Sequence, residues 1–190
     1  HASVYQPLLF LQELGFRISF IPVNSAGIID IEALEREICD DTILVSVMYV
    51  NNEIGSVEPI REISERIRKK KPDILFHVDA IQAFGKFKLH PEKDGIDLLS
   101  ASGHKIHGPK GSGFLYIKNR TKIKPILHGG GQERGMRSGT ENVPAIAGFA
   151  CAAAELYVKL EENREHLFLL KQRLAERLQK MEGVRLHGIP

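Results

Sequence analysis

"TILVSVMYV", residues 42–50, is an almost unbroken apolar run, rich in β-branched residues. Such runs read as strands of sheets covered on both faces, the kind that parallel α/β proteins build. The stretches on either side repeat the pattern. "IREISERIRKKK" (60–71) has helical spacing, and "ILFHVDA" (74–80), "DLLSASG" (97–103) and "GSGFLYIK" (111–118) each read as strands. On the N-terminal side, "SVYQPLLFLQELGF" (3–16) is a helix with Gly15 near its end. "RISFIPV" (17–23) is a strand, "NSAG" a turn, and "DIEALEREICDD" (30–41) a helix with Asp30 as N-cap. Beyond the loop "HGGGQERGMRSGT" (128–140), helices are expected from about Val143 to Tyr157 and from about Glu161 to Met181. "GVRLHGIP" (183–190) reads as the opening of a further strand. Repeated strand–helix–strand units predict an α/β fold with a mostly parallel sheet and helices on both faces.

Composition narrows the function. The chain has 190 residues, 43% hydrophobic, enough for one substantial core. A net charge of +2 is too mild to argue for nucleic acid. The densest basic run, "RIRKKK" (66–71), reads as the solvated end of a helix. Cys39 and Cys151 form no disulfide framework and suit a reducing cytoplasm, and the longest apolar run is too short to span a bilayer.

In a parallel sheet, ligands bind beyond the carboxyl ends of the strands. Three strands deliver polar groups there: Asn51 and Asn52 after the first, Asp79 and Gln82 after the second, Ser102, His104 and Lys105 after the third. A lysine following an apolar strand is either a carbonyl nucleophile, if partly desolvated, or a cation for phosphate. Asp79 decides between them, because a carboxylate at the end of an apolar strand needs a positive partner or several donors. A lysine to condense with a carbonyl and a carboxylate to keep a pyridine nitrogen protonated are what a pyridoxal 5'-phosphate site requires. Ser102 and His104 flank Gly103, where backbone can approach an anion.

Two other chemistries fit less well. His77, Asp79, His104, His107 and His128 could be read as metal ligands, but no second carboxylate accompanies them, so no metal is expected. "GPKGSG" (108–113) lacks the glycine–lysine–serine/threonine order of a nucleotide-binding loop.

Four motifs, "VNNEIG" (50–55), "HVDAIQAFGK" (77–86), "SGHKIHGPKGSG" (102–113) and "HGGGQERGMRSGTEN" (128–142), resemble those of cysteine desulfurases of the iron–sulfur cluster assembly and nitrogen-fixation type. That family has the aspartate-aminotransferase-like fold, and the resemblance runs through nearly the whole chain. It implies pyridoxal 5'-phosphate as cofactor, L-cysteine as substrate and L-alanine as product. By it, Lys105 is the lysine that carries the cofactor and Asp79 the partner of the ring nitrogen. Gln82 and Asn52 lie near the ring's phenolic oxygen, and Ser102 and His104 hold the phosphate. His1 stacks on the ring and assists proton transfer, and Thr140 reaches the phosphate in a partner subunit. The resemblance also implies a homodimer, a sulfur-acceptor scaffold protein and a cytoplasmic enzyme, with neither nucleic acid nor membrane as partner.

The chain also departs from the family's pattern. The family's sulfur-accepting cysteine sits on a serine-rich loop in its C-terminal part, and neither cysteine here stands in for it. Cys39 lies among acidic residues, which do not favour a thiolate, and Cys151 in "AIAGFACAAAEL" (145–156) reads as a small buried hydrophobe. A chain starting at His1 is therefore read as a fragment: residues 1–158 as part of the large cofactor-binding domain, 159–190 as a connecting helix opening the small domain. The alternatives are a selenocysteine lyase, another class-V aminotransferase-type enzyme, or a non-catalytic dimerisation core.

Overall fold

The computed structural model describes residues 1–187. Its centre is a four-stranded sheet in the order β1 (Leu44–Met48), β2 (Leu75–Asp79), β3 (Leu98–Ser102), β4 (Gly113–Ile117). β1, β2 and β3 run parallel, and β4 returns antiparallel to β3. The mostly parallel α/β fold read from the sequence is the fold observed. Around the sheet lie α1 (Ala2–Glu13), α2 (Ile31–Glu37), α3 (Ile60–Lys70), α4 (Val143–Val158) and α5 (Leu160–Leu178).

Alternation along the strands sorts the side chains. Val45 and Val47, Phe76 and Val78, and Leu99 and Ala101 share one face and are buried with Leu34 of α2 and Ile60, Ile63 and Ile67 of α3. The spacing of Ile60, Ile63 and Ile67 places all three on one stripe of α3, which explains how so charged a helix docks. Asp30 caps α2 by accepting from the Ala33 N–H at 2.8 Å. Phe84, following β2, meets Phe114 of β4 and Phe149 of α4 edge-on, fixing α4 against the sheet. α4 and α5 meet at Lys159 with a bend of 73°. No single helix is long and apolar enough to cross a membrane among the described residues.

Four expectations need correction. "RISFIPV" forms no strand; its one sheet-like contact is a bridge from Val23 to Ile29. β propensity cannot make a strand without a ladder to join, and this segment instead faces the outer edge of β1 across a groove of about 670 Å³, closed at one end by Leu8 and Leu11 of α1. Cys151 is exposed, because α4 turns only Ala145 and Phe149 fully inward. The run "RIRKKK" is not merely solvated: Arg68 reaches back under the sheet to the carboxylate of Asp97 and to the carbonyls of Pro72, Ile74 and Gly95. Residues 183–187 carry no strand, and the rest of "GVRLHGIP" lies outside the described residues.

Asp97 is the polar anchor of the core's far end. It is 5% exposed, accepts from the Phe76 N–H at 2.9 Å, and pairs with Arg68 and, at 3.1 Å, with Lys118. Burial pushes the carboxyl up, but the Phe76 amide and the Arg68 and Lys118 side chains outweigh it, so Asp97 titrates below the ordinary carboxylate value.

Candidate active site

The C-terminal ends of β1, β2 and β3 lie at one rim because the three strands are parallel and in step: Met48 is opposite Asp79, and Asp79 opposite Ser100. After β1, Asn51 closes a turn by accepting from the N–H groups of Glu53 and Ile54, leaving Asn52 exposed. After β2 the chain turns at once, with Ala83 and Phe84 bonding back to the Ala80 carbonyl and Gln82 half-buried on the turn.

Asp79 ends β2 at 3% exposure. Its Oδ1 accepts from the Ile81 N–H at 3.1 Å, and among the described residues Oδ2 accepts from none. A carboxylate so enclosed and so thinly partnered suits a cationic neighbour. This is the feature a protonated pyridine nitrogen would satisfy.

After β3 the chain enters a short 3₁₀ turn, Gly103–Ile106, that carries His104 and Lys105 outward while Ile106 plugs the core. Gly103 is buried, and a Cβ there would stand 2.5 Å from Ser112 Oγ and 3.1 Å from the Pro109 carbonyl. Only glycine lets the turn fold this tightly beside the "HGPKGSG" segment. The turn closes with His107 in the left-handed region at φ 65°. Ser102 Oγ lies 2.7 Å from His104 Nδ1, so the two groups expected to hold phosphate are already paired.

Lys105 is exposed rather than sunk at depth, because the 3₁₀ turn swings it past the strand end. The desolvated lysine is instead its neighbour Lys86: burial first, and then the charge of Lys105, hold the Lys86 ammonium below the ordinary lysine value. That pairing is not readable from local pattern, since Lys86 and Lys105 follow different strand ends.

Two further expected residues lie on other elements. The His1 imidazole caps α1, with Nδ1 accepting from the Ser3 N–H at 3.2 Å. Thr140 is exposed between the glycine-rich loop and Asn142, the N-cap of α4. In that loop Glu133 and Arg134 take positive φ, at 49° and 58°. His77, weighed above as a metal ligand, has both ring nitrogens engaged by serine hydroxyls. Among the described residues no three acidic, histidine or cysteine side chains are grouped to hold a metal ion.

Comparison with known proteins bears on this arrangement. The aminotransferase class-V family model matches residues 1–190. The chain is 44% identical over 190 residues to "Cysteine desulfurase IscS" of Methanosarcina thermophila, covering all of this chain and 46% of that protein. A solved "NifS-like protein" superposes with a TM-score of 0.92 at 42% identity, covering 94% of this chain and 49% of that one. A second, "SspA in complex with cysteine", gives a TM-score of 0.78 at 38% identity, over 81% of this chain and 44% of that one. The chain thus spans about half the length of the curated relatives it matches.

Proposed function

Since the chain belongs to the class-V aminotransferase family, we propose that it forms the core of a pyridoxal-phosphate-dependent cysteine desulfurase, which takes sulfur from L-cysteine and leaves L-alanine. The observation that carries this reading is the rim itself, where the enclosed Asp79 carboxylate and the glycine-hinged Ser102–Lys105 turn end adjacent, in-step strands. The solved relative bound to cysteine supports the substrate. Residues 1–158 belong to the large domain and 159–190 lead into a small one. Thr140 reaches the phosphate of a second subunit in a cytoplasmic homodimer, and a scaffold protein receives the sulfur.

When bound, pyridoxal 5'-phosphate supplies an electron sink for the carbon that loses its proton. The chain's residues supply the rest. Asp79 holds the proton on the ring nitrogen, and Ser102 and His104 hold the phosphate. Gln82 and Asn52 orient the ring at its phenolic oxygen. Lys105 Nζ would anchor the cofactor and take the α-proton of cysteine, and the His1 imidazole would serve as a second proton carrier. Neither Cys39 nor Cys151 accepts the sulfur. Cys39 is held among Arg17, Asp41 and Thr42, and Cys151 lies on the outward side of α4.

Labelling tests the site. The 190-residue chain is incubated with excess pyridoxal phosphate, reduced with borohydride and digested, and the modified lysine is located by mass spectrometry. Label concentrated on the Lys105 peptide is expected; label spread evenly over Lys69, Lys70 and Lys110 would refute the site. The same chain is expected to make no alanine from cysteine, and alanine production would overturn the exclusion of Cys39 and Cys151.

In the full-length enzyme, Asp79→Asn retains the shape but not the charge. Turnover is expected to fall on the order of a hundredfold, with cofactor still bound. Turnover near the wild-type value would remove Asp79 from its role.

A further inference from the structure

The face of the sheet that carries Asp79 also carries a polar line that the proposed reaction does not use. Ser46 on β1, His77 on β2 and Ser100 on β3 span three strands. Ser46 Oγ lies 2.7 Å from His77 Nδ1, and Ser100 Oγ lies 2.8 Å from His77 Nε2. The register builds this line, since Ser46 is opposite His77 and Ser100 is opposite Asp79. His77 and Asp79 are two residues apart on one strand and so project from the same face.

A hydroxyl can donate to one ring nitrogen and accept from the other, so the pair of serines fits a neutral imidazole and fixes its plane. Removal from water favours the same state and holds His77 below the ordinary histidine value, against the opposing pull of Asp79. On the sheet, the groups beside the ring are Ser46 from β1, Leu98 and Ser100 from β3, and Leu75 and Asp79 from its own strand. Of these only Asp79 carries a charge. A protonated His77 would therefore be a second cation for Asp79, in competition with a ring nitrogen.

We propose that His77 is a positioning residue for Asp79, fixed as a neutral imidazole by Ser46 and Ser100 so that the carboxylate is left to the cofactor's ring nitrogen. This rests on the reading of Asp79 as the ring's partner. It has a thermodynamic consequence. Without cofactor, the Asp79 carboxylate favours a proton on His77; a cation against Asp79 cancels that pull. Binding the cofactor then expels any proton His77 has taken up. Affinity for pyridoxal phosphate must fall as pH drops below the titration of His77, approaching about tenfold per pH unit for one linked proton.

The test uses the full-length protein with histidine-selective isotope labelling. In the cofactor-free wild type, the His77 ring signals should show a single neutral tautomer at pH 7. Their titration should lie below the ordinary histidine range and move lower still on adding pyridoxal phosphate. A protonated His77 at pH 7, or a titration unmoved by cofactor, overturns the proposal without any variant. His77→Gln retains both hydrogen-bonding directions without a titrating group, so its cofactor affinity should lose the low-pH decline that the wild type shows. The same decline in both proteins also overturns it. Asp79→Asn separates the two levels of inference. If that variant leaves cofactor affinity and the visible absorption spectrum unchanged, the underlying reading of Asp79 has failed. If it alters them while His77→Gln leaves the pH profile as it was, only the role of His77 falls.

Discussion

Lys105→Ala will reduce cysteine turnover in the full-length enzyme by a factor on the order of 10⁴ or more, since one amine both anchors the cofactor and moves the α-proton. Folding should be unaffected. Lys105 is exposed, and among the described residues its ammonium makes no hydrogen bond or ion pair. The structural role of this turn belongs instead to Gly103 and Ile106. Thermal unfolding and far-ultraviolet circular dichroism should therefore match the wild type while alanine production disappears. Removal of the Lys105 charge will let the Lys86 pKa rise, since that charge is one of the two causes holding it down. Turnover within about tenfold of wild type would show that a different amine does the chemistry.

Asp97→Ala has the opposite profile, with a large cost in stability and no chemistry touched. The substitution leaves the Arg68 guanidinium, itself half-buried, facing the Phe76 amide with no anion between them. Removing one partner of a buried pair costs about 3–5 kcal/mol, and a melting temperature lower by on the order of 10 °C is expected for a domain this size. The pH dependence has a definite sign. Because the folded-state pKa of Asp97 lies below its ordinary value of 3.8, its contribution is fully present above about pH 4. It is lost as pH falls through the lowered folded value. Wild-type stability should drop in that acid window, and Asp97→Ala should lack that part of the drop. A variant melting within a degree or two of wild type would show the network to be ornamental.

The fold was legible where local pattern and tertiary partner agree. The apolar strands, the Ile60–Ile63–Ile67 stripe of α3 and the Asp30 cap are all local signals that packing then uses. "RISFIPV" failed because a strand is a property of two segments, and its sequence describes one. Cys151 failed because an alanine-rich helix reads the same from every side, so composition could not say which side packs. Arg68 was hidden inside a basic run in which Lys69 and Lys70 are exposed. Its partner Asp97 is 29 positions away, beyond any local period. At the candidate site, residue types and strand ends were readable, whereas the depth of each group was not. Lys105 stands out and Lys86 is drawn in, an exchange set by a single 3₁₀ turn. The Ser46–His77–Ser100 line was unreadable for a related reason, since register between strands is not written in any one of them.

The open outer side of β1 makes a chain of these 190 residues, produced alone, a template for its own aggregation. Leu44–Met48 is hydrogen-bonded to β2 on one side only, and it carries no charge, proline or bulge to discourage a newcomer. Ile43 and Leu44 are exposed beside it, and Phe20 and Val23 face solvent from the unpaired segment across the groove. The sheet's other edge is β4, so one molecule's β1 joining another's β4 leaves a free edge at each end of the pair for the next. Solubility of the isolated chain should therefore be limited by concentration rather than by fold stability. Light scattering should rise with protein concentration at temperatures well below the melting point. Leu44→Lys, which sets a charge on that rim without entering the core, should delay the rise.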